Sequence, residues 1–187
     1  SINPLNYDQR HRIVFNVDYR YGSGTEYNGP MIGKSQIFAN TGFNVITNLG
    51  SGTPYTSQVF PTPITGEISP STEGSLNGSR LPWQVTLNAN IDKSFELTFG
   101  EGEGSKKAFL NVYLWISNAL NTQNITGVYR FTGTPDDDGY LAAAQYQPQI
   151  DTKNDPDAYR NYYSMYVNNP FNLGVPRTIR LGVKLDF

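Results

Sequence analysis

The chain has 187 residues, of which 37% are hydrophobic, with a mean hydropathy of −0.47; no stretch approaches the roughly 18 apolar residues of a membrane-spanning helix, so a helical membrane protein is excluded. A formal charge of −2 offers no basic footprint for nucleic acid. Cysteine is absent, which removes a disulfide framework and any thiolate metal site.

The opening Ser1-Ile2-Asn3-Pro4 lacks the charged and then apolar regions of a secretory leader. The expectation is that a leader has been removed or that residue 1 is not the original start. The first patterned segment is 11–21, with Ile13, Phe15, Val17, Tyr19 and Tyr21 on one face and Arg12, Asn16, Asp18 and Arg20 on the other. Successive side chains on a strand point to opposite faces, so this alternation predicts a strand between an apolar and a polar environment. A Gly/Ser/Asn-rich stretch at 22–34 separates it from a second alternating run at 35–49, and the pair reads as a hairpin.

From 50 to 82 the pattern gives way to Gly, Pro, Ser and Thr. A third strand then sets Trp83, Val85, Leu87, Ala89 and Ile91 against Gln84, Thr86, Asn88, Asn90 and Asp92 and continues towards Phe99. An acidic glycine turn at 100–105 leads into a fourth strand, where Leu110, Val112, Leu114 and Ile116 alternate with Asn111, Tyr113, Trp115 and Ser117. A long irregular segment at 121–176 exceeds the connections usual inside a compact domain. The last strand, 178–187, has Ile179, Leu181, Val183, Leu185 and Phe187 on one face, and Arg180, Lys184 and Asp186 on the other.

Runs of about ten residues that alternate in this way have the length a tilted strand needs to cross a bilayer, and such barrels have ordinary mean hydropathy because half of each strand faces a polar lumen. The 13% of aromatic residues, with 18 Gly and 12 Pro, suit strands, interfacial girdles and turns. With the carboxyl-terminal end at the periplasmic face, the two longest connections fall outside the cell and the short turn inside, the arrangement of outer-membrane barrels. The predicted fold is all-β: an antiparallel transmembrane β-barrel segment of about five strands with two long extracellular loops.

Four motifs carry a resemblance: Tyr7-Asp8-Gln9-Arg10-His11 entering a strand, Gly50-Ser51-Gly52-Thr53-Pro54-Tyr55-Thr56 leaving one, Asn118-Ala119-Leu120-Asn121 closing another, and the terminal Arg180-Leu181-Gly182-Val183-Lys184-Leu185-Asp186-Phe187. In this order they resemble the carboxyl-terminal part of a TonB-dependent outer-membrane receptor, over essentially the whole chain. The loop Pro135-Asp136-Asp137-Asp138-Gly139-Tyr140 is similar to that of the large nutrient importers that work with a surface lipoprotein. The resemblance implies a barrel of about 22 strands with an amino-terminal plug, of which 1–187 would be the carboxyl-terminal part of the single barrel domain, with no plug domain present. It also implies uptake of an oligosaccharide or peptide across the outer membrane, with TonB engaged through a part absent from this chain. The partners implied are outer-membrane lipid, the remaining strands and plug, and a surface lipoprotein.

About five strands leave unpaired edges in hydrocarbon, where each unsatisfied backbone group costs several kcal/mol, so other strands must complete the wall. Two other folds fit the length: a closed eight-stranded outer-membrane barrel, with 127–132 and 162–167 as further strands, and a soluble surface β-sandwich carbohydrate-binding module. A structural barrel piece that moves nothing is a third reading.

No catalytic constellation is found. The single histidine, His11, lies beside Arg10 and Arg12 at a strand mouth, Ser51 lacks the strand-turn-helix setting of a nucleophile elbow, and the acidic turn at 100–104 opens no helix to cradle phosphate. The expectation is a non-enzymatic protein. Asp136, Asp137 and Asp138, and separately Asp151, Asn154, Asp155 and Asp157, are candidate oxygen ligands for Ca²⁺ in extracellular loops, against the plain reading of solvated Asp-rich turns. Asn77-Gly78-Ser79 and Asn124-Ile125-Thr126 match glycosylation sequons, but such matches are common by chance and an outer-membrane setting disfavours that chemistry. Tyr159, Tyr162, Tyr163 and Tyr166, with Arg160 and Phe171, form an aromatic run suited to stacking on a sugar or gripping a peptide; a packed loop core and an interface girdle are the alternatives. Arg12, Asn16, Asp18, Arg20, Asn88, Asn90, Asp92, Asn111, Arg180 and Lys184 are expected to face the lumen as an interstrand polar network.

Overall fold

The computed structural model of the chain describes residues 2–64, 71–100 and 106–187. The glycine turn at 100–105 lies, apart from Gly100, outside the described residues. The chain is mostly strand in antiparallel sheets, with few helices, and divides into two compact units. Among the described residues no helix is long and apolar enough to cross a membrane.

One unit, residues 13–49, 85–122 and 176–187, holds the alternating runs. Its strands are β1 (Arg12–Arg20), β2 (Thr41–Gly50), β3 (Gln84–Phe99), β4 (Lys106–Ser117) and β5 (Thr178–Asp186), hydrogen-bonded in chain order as a 5-stranded sheet. Each strand occupies the place its alternation predicts. The second run is shorter than expected: Ser35–Gln36 pairs instead with Met31–Ile32, and Asn40, at φ 54°, turns the chain before β2 starts.

The register keeps the apolar residues on one face. Leu114 lies between Ile91 and Leu181, Val112 pairs with Val183, and Leu110 lies between Phe95 and Leu185. A slip of one residue would exchange the two faces, so the alternation itself fixes this pairing. On that face Ile13, Phe15, Val17, Ile91, Phe95, Ile179, Leu181, Val183 and Leu185 are all exposed. Lys93, on that face, lies over the Phe95 ring at 5.6 Å and turns its ammonium to the Ile37 carbonyl. At the β1–β2 turn, Tyr21 meets Tyr19, Tyr27, Phe38 and Phe43 with ring centroids 4.8–6.0 Å apart.

Strand ends sort the connections. β1 and β2 join at the end where β3 runs to β4 and β5 finishes, whereas the long segments 51–83 and 118–177 both leave from the other end. The motif after β4 closes a tight turn, with Asn118 at φ 50° and Asn121 at φ 52°. The Asn118 carboxamide bonds the Thr122 backbone at both N–H and C=O, 3.0 Å each, and Asn121 Oδ1 accepts from the Arg177 N–H at 2.9 Å.

The second unit comprises residues 1–12, 50–84 and 123–175. Contrary to the reading of 162–167 as a strand, this stretch lies in the helix α2 (Pro156–Val167), preceded by the short helix α1 (Gln147–Asp151); 127–132 is no strand either. The local chemistry explains α2: the Asp155 side chain accepts from the Ala158 N–H at 2.9 Å, Pro156 opens the helix, and Tyr159, Tyr163 and Val167 recur at four-residue spacing to bury one face. The eight-stranded alternative therefore loses both of its candidate further strands. The core of this unit is Tyr140, Ile150, Tyr163 and Val167, with Tyr129, Leu141, Tyr146 and Tyr159 packed against it.

The Gly50-Ser51-Gly52 motif is a close backbone approach. The Ser51 N–H donates to the His11 carbonyl at 2.8 Å, the Ser51 hydroxyl accepts from the His11 N–H at 3.0 Å, and Gln9 Nε2 donates to the Ser51 carbonyl at 3.0 Å. A Cβ on Gly52 would stand 1.7 Å from the Leu81 carbonyl oxygen, which belongs to backbone and has no rotamer to yield. Gly52→Ala is expected to cost about 3 kcal/mol or more, as overpacking against fixed atoms does. A shift of the urea midpoint, with early proteolysis in 50–84, checks it.

Candidate functional site

The polar face of the sheet gathers the predicted network. Arg20 of β1 reaches across β2 to Asp92 of β3, its Nη2 donating at 2.8 Å and 3.0 Å to the two carboxylate oxygens. The residue between them is Gly42, where a Cβ would stand 2.5 Å from both Arg20 Nη2 and Asp92 Oδ1. The bridge exists because β2 contributes no side chain at this position. Asp92 also accepts from Asn111 Nδ2 at 3.2 Å, and the same amide reaches Ser94 at 3.0 Å. Asn44 Nδ2 donates to Asn16 at 3.1 Å and to Asp18 at 3.0 Å.

Asn88 Oδ1 accepts from the Asn118 N–H at 3.0 Å, and Lys184 pairs with Asp186 at 2.8 Å. Arg180 lies in register opposite Trp115, which is itself opposite Asn90. Asn90 Oδ1 is buried and has no hydrogen-bond partner among the described residues. Gly42, Asn44 and Ser94 join this face in addition to the expected network; Gly42 and Asn44 are legible as even-numbered positions of the second alternating run and Ser94 of the third, whereas the role of Gly42 appears only when β1, β2 and β3 are adjacent. Phe109, Tyr113 and Trp115 share this face and are exposed, so it is mixed rather than uniformly polar. Gly42→Val is expected to separate Arg20 from Asp92 and cost about 1–3 kcal/mol through crowding and the lost bridge. Urea unfolding checks it, with Arg20→Ala as the background in which the loss should shrink.

In the second unit, α2 divides the predicted aromatic run between two faces. Tyr159 and Tyr163 turn into the core, and Tyr163 is buried; Tyr162 and Tyr166 are exposed. Arg160 is occupied, donating to Gln147 Oε1 at 3.1 Å and to Asp151 at 2.8 Å. The packed-core alternative therefore holds for Tyr159 and Tyr163. What remains open is a cavity of about 550 Å³ lined by Ile64, Tyr129, Met165, Tyr166, Asn168, Asn169, Pro170 and Phe171, with Phe171 88% exposed. Met165, Asn168 and Asn169 line it too, and the spacing of the aromatic run does not single them out.

The acidic loop is organised around Asp138, which is 3% exposed. Its carboxylate accepts from the Tyr140 N–H at 3.0 Å and from the Tyr163 hydroxyl. That hydroxyl accepts in turn from the Ile64 N–H at 3.1 Å, tying the 123–175 segment to the 50–84 segment. Asp137 accepts from the Gly139 N–H at 2.8 Å, and Asp136 is exposed. Asp155 is spent as a helix cap and Asp151 as the partner of Arg160. Among the described residues no three His, Cys, Asp or Glu converge as a metal-binding group.

Burial, then a bond with Tyr159, pushes the Tyr140 hydroxyl up to about 12. Tyr163 is raised as well, by burial first and then by its bond to Asp138. His11 stacks on Trp83, ring centroids 6.0 Å apart and interplanar angle 1°. Comparison with known proteins finds no family model that matches the chain and no curated protein or solved structure similar to it.

Proposed function

We propose that the chain is the carboxyl-terminal barrel segment of a TonB-dependent outer-membrane importer. The observation that carries this reading is the sheet with one exposed apolar face and a hydrogen-bonded polar face on the same five strands. Water on both sides would leave that apolar face without cover; lipid on one side and a polar lumen on the other satisfies both. Strand lengths of 9, 10, 16, 12 and 9 residues meet or exceed the roughly nine that cross a bilayer.

Further support comes from the ends. The two longest connections leave the same end of the sheet, and the aromatic cluster around Tyr21 lies at the other, as an interfacial girdle would. Neither β1 nor β5 has a second neighbour among the described residues, so in a bilayer further strands, in a barrel of about 22, would close the wall. In this reading the chain is non-enzymatic, its network facing a plug, with TonB engaged through that plug and a surface lipoprotein at the extracellular side. The cavity at Tyr166 and Phe171 is the loop surface that would contact an oligosaccharide or peptide, apolar rings stacking and the Asn168 and Asn169 amides hydrogen-bonding.

The test is membrane partition together with intact mass. The polypeptide carrying this chain should stay with outer membranes through a carbonate wash, require detergent for release, and have a denatured mass several times 20.9 kDa. A membrane-bound polypeptide of about that mass contradicts the importer and leaves a barrel completed by partners. Release without detergent contradicts the membrane reading and returns the soluble sandwich.

A further inference from the structure

The turn end of the apolar face carries a cavity of about 510 Å³ lined by Phe99, Lys106, Lys107, Ala108 and Phe187. Its origin is in the register. Ala108 pairs with Leu97, and because Phe109 pairs with Asp186, Phe187 falls beside Ala108. The small Ala108, 2% exposed, is thus a floor, while Phe99 and Phe187, 56% and 99% exposed, stand as walls. Lys106 lies opposite Phe99 on this same face. The pleat puts Lys107 on the polar face, where it is paired with Glu96. Lys106 has no ion-pair or hydrogen-bond partner among the described residues. An apolar slot whose rim carries a cation with no partner among the described residues matches a molecule with a long hydrocarbon tail and a phosphate head.

We infer that this slot binds an anionic phospholipid of the leaflet at the turn end, an acyl chain lying between Phe99 and Phe187 over Ala108 and the headgroup phosphate meeting Lys106. This rests on the membrane reading above, since lipid is available only if the apolar face is in a bilayer. Neutral phosphatidylcholine would fill the slot without a net charge for Lys106 to select, so the site predicts a preference for headgroup charge and not for chain alone.

The protein carrying the full chain, purified in mild detergent, would be placed in nanodiscs of equal phosphatidylglycerol and phosphatidylcholine, and the retained lipid counted by native mass spectrometry. Wild type is expected to retain phosphatidylglycerol about fivefold over phosphatidylcholine, from one lysine near the headgroups. Lys106→Gln should abolish the preference while some lipid remains. Ala108→Leu should fill the floor and lower retention of both lipids. Equal retention of the two lipids by wild type, or an unchanged preference in Lys106→Gln, overturns the site while the membrane reading stands. A protein that does not enter nanodiscs at all overturns both.

Discussion

Leu181→Arg is expected to cost about 2–4 kcal/mol of folding free energy in a bilayer, the range for a cation near the midplane on the lipid side of a barrel. The position discriminates because Leu181 is 74% exposed near the middle of β5. In water an exposed leucine changed to arginine shifts stability by no more than about 0.5 kcal/mol in either direction. The same substitution is therefore costly in one setting and close to neutral in the other. Lys184→Ala, on the other face of the same strand, should stay within about 0.5 kcal/mol in both. Lys93 shows how a charge is tolerated on the apolar face: it sits near the aromatic turn and bends its ammonium to a backbone carbonyl. Leu181 has no such exit. Urea unfolding from lipid vesicles, with folded and unfolded forms resolved by gel mobility, measures the difference.

Asp138→Ala should loosen the second unit by about 2–4 kcal/mol, since it leaves the Tyr140 N–H and the Tyr163 O–H without their acceptor in a buried place. Asp136→Ala, at an exposed position two residues away, should stay within about 0.5 kcal/mol. Hydrogen exchange of the amides at 132–167 separates the two. The same core predicts an alkaline limit. Tyr140 and Tyr163 are held neutral when folded, and an unfolded tyrosine ionises at about 10. A raised folded value means that the stabilisation is fully present below about pH 10 and is lost as pH rises through the folded value of about 12 for Tyr140. Exchange protection in 132–167 should therefore fall between about pH 10 and 12, with no loss on mild acidification from these two groups.

The sheet was legible because two-residue alternation is local: each run carries its own evidence of two environments, and the register follows from matching the apolar faces. The start of β2 within 35–49 was not legible for a related reason, since a single asparagine at positive φ, Asn40, interrupts an otherwise continuous alternation. Asp155-Pro156 states the start of α2, but the run of tyrosines after it has the composition of a strand, and that composition masks the cap. Asp138 read as one of three equivalent aspartates. Only the fold shows that it alone faces Tyr163, a contact across 25 residues that no local pattern encodes. Gly42 is similar, because its importance is the bridge passing above it from neighbouring strands.

The central claim is that β5 separates lipid from a polar interior, and the cysteine-free chain allows it to be tested strand by strand. Single cysteines at 179 to 185, spin-labelled in the reconstituted protein, would be assayed for collision with oxygen, which concentrates in lipid, and with a water-soluble nickel chelate. The account predicts a period of two, with oxygen favoured at 179, 181, 183 and 185 and nickel at 180, 182 and 184. Equal access of nickel at every position would contradict it, placing both faces of the sheet in water.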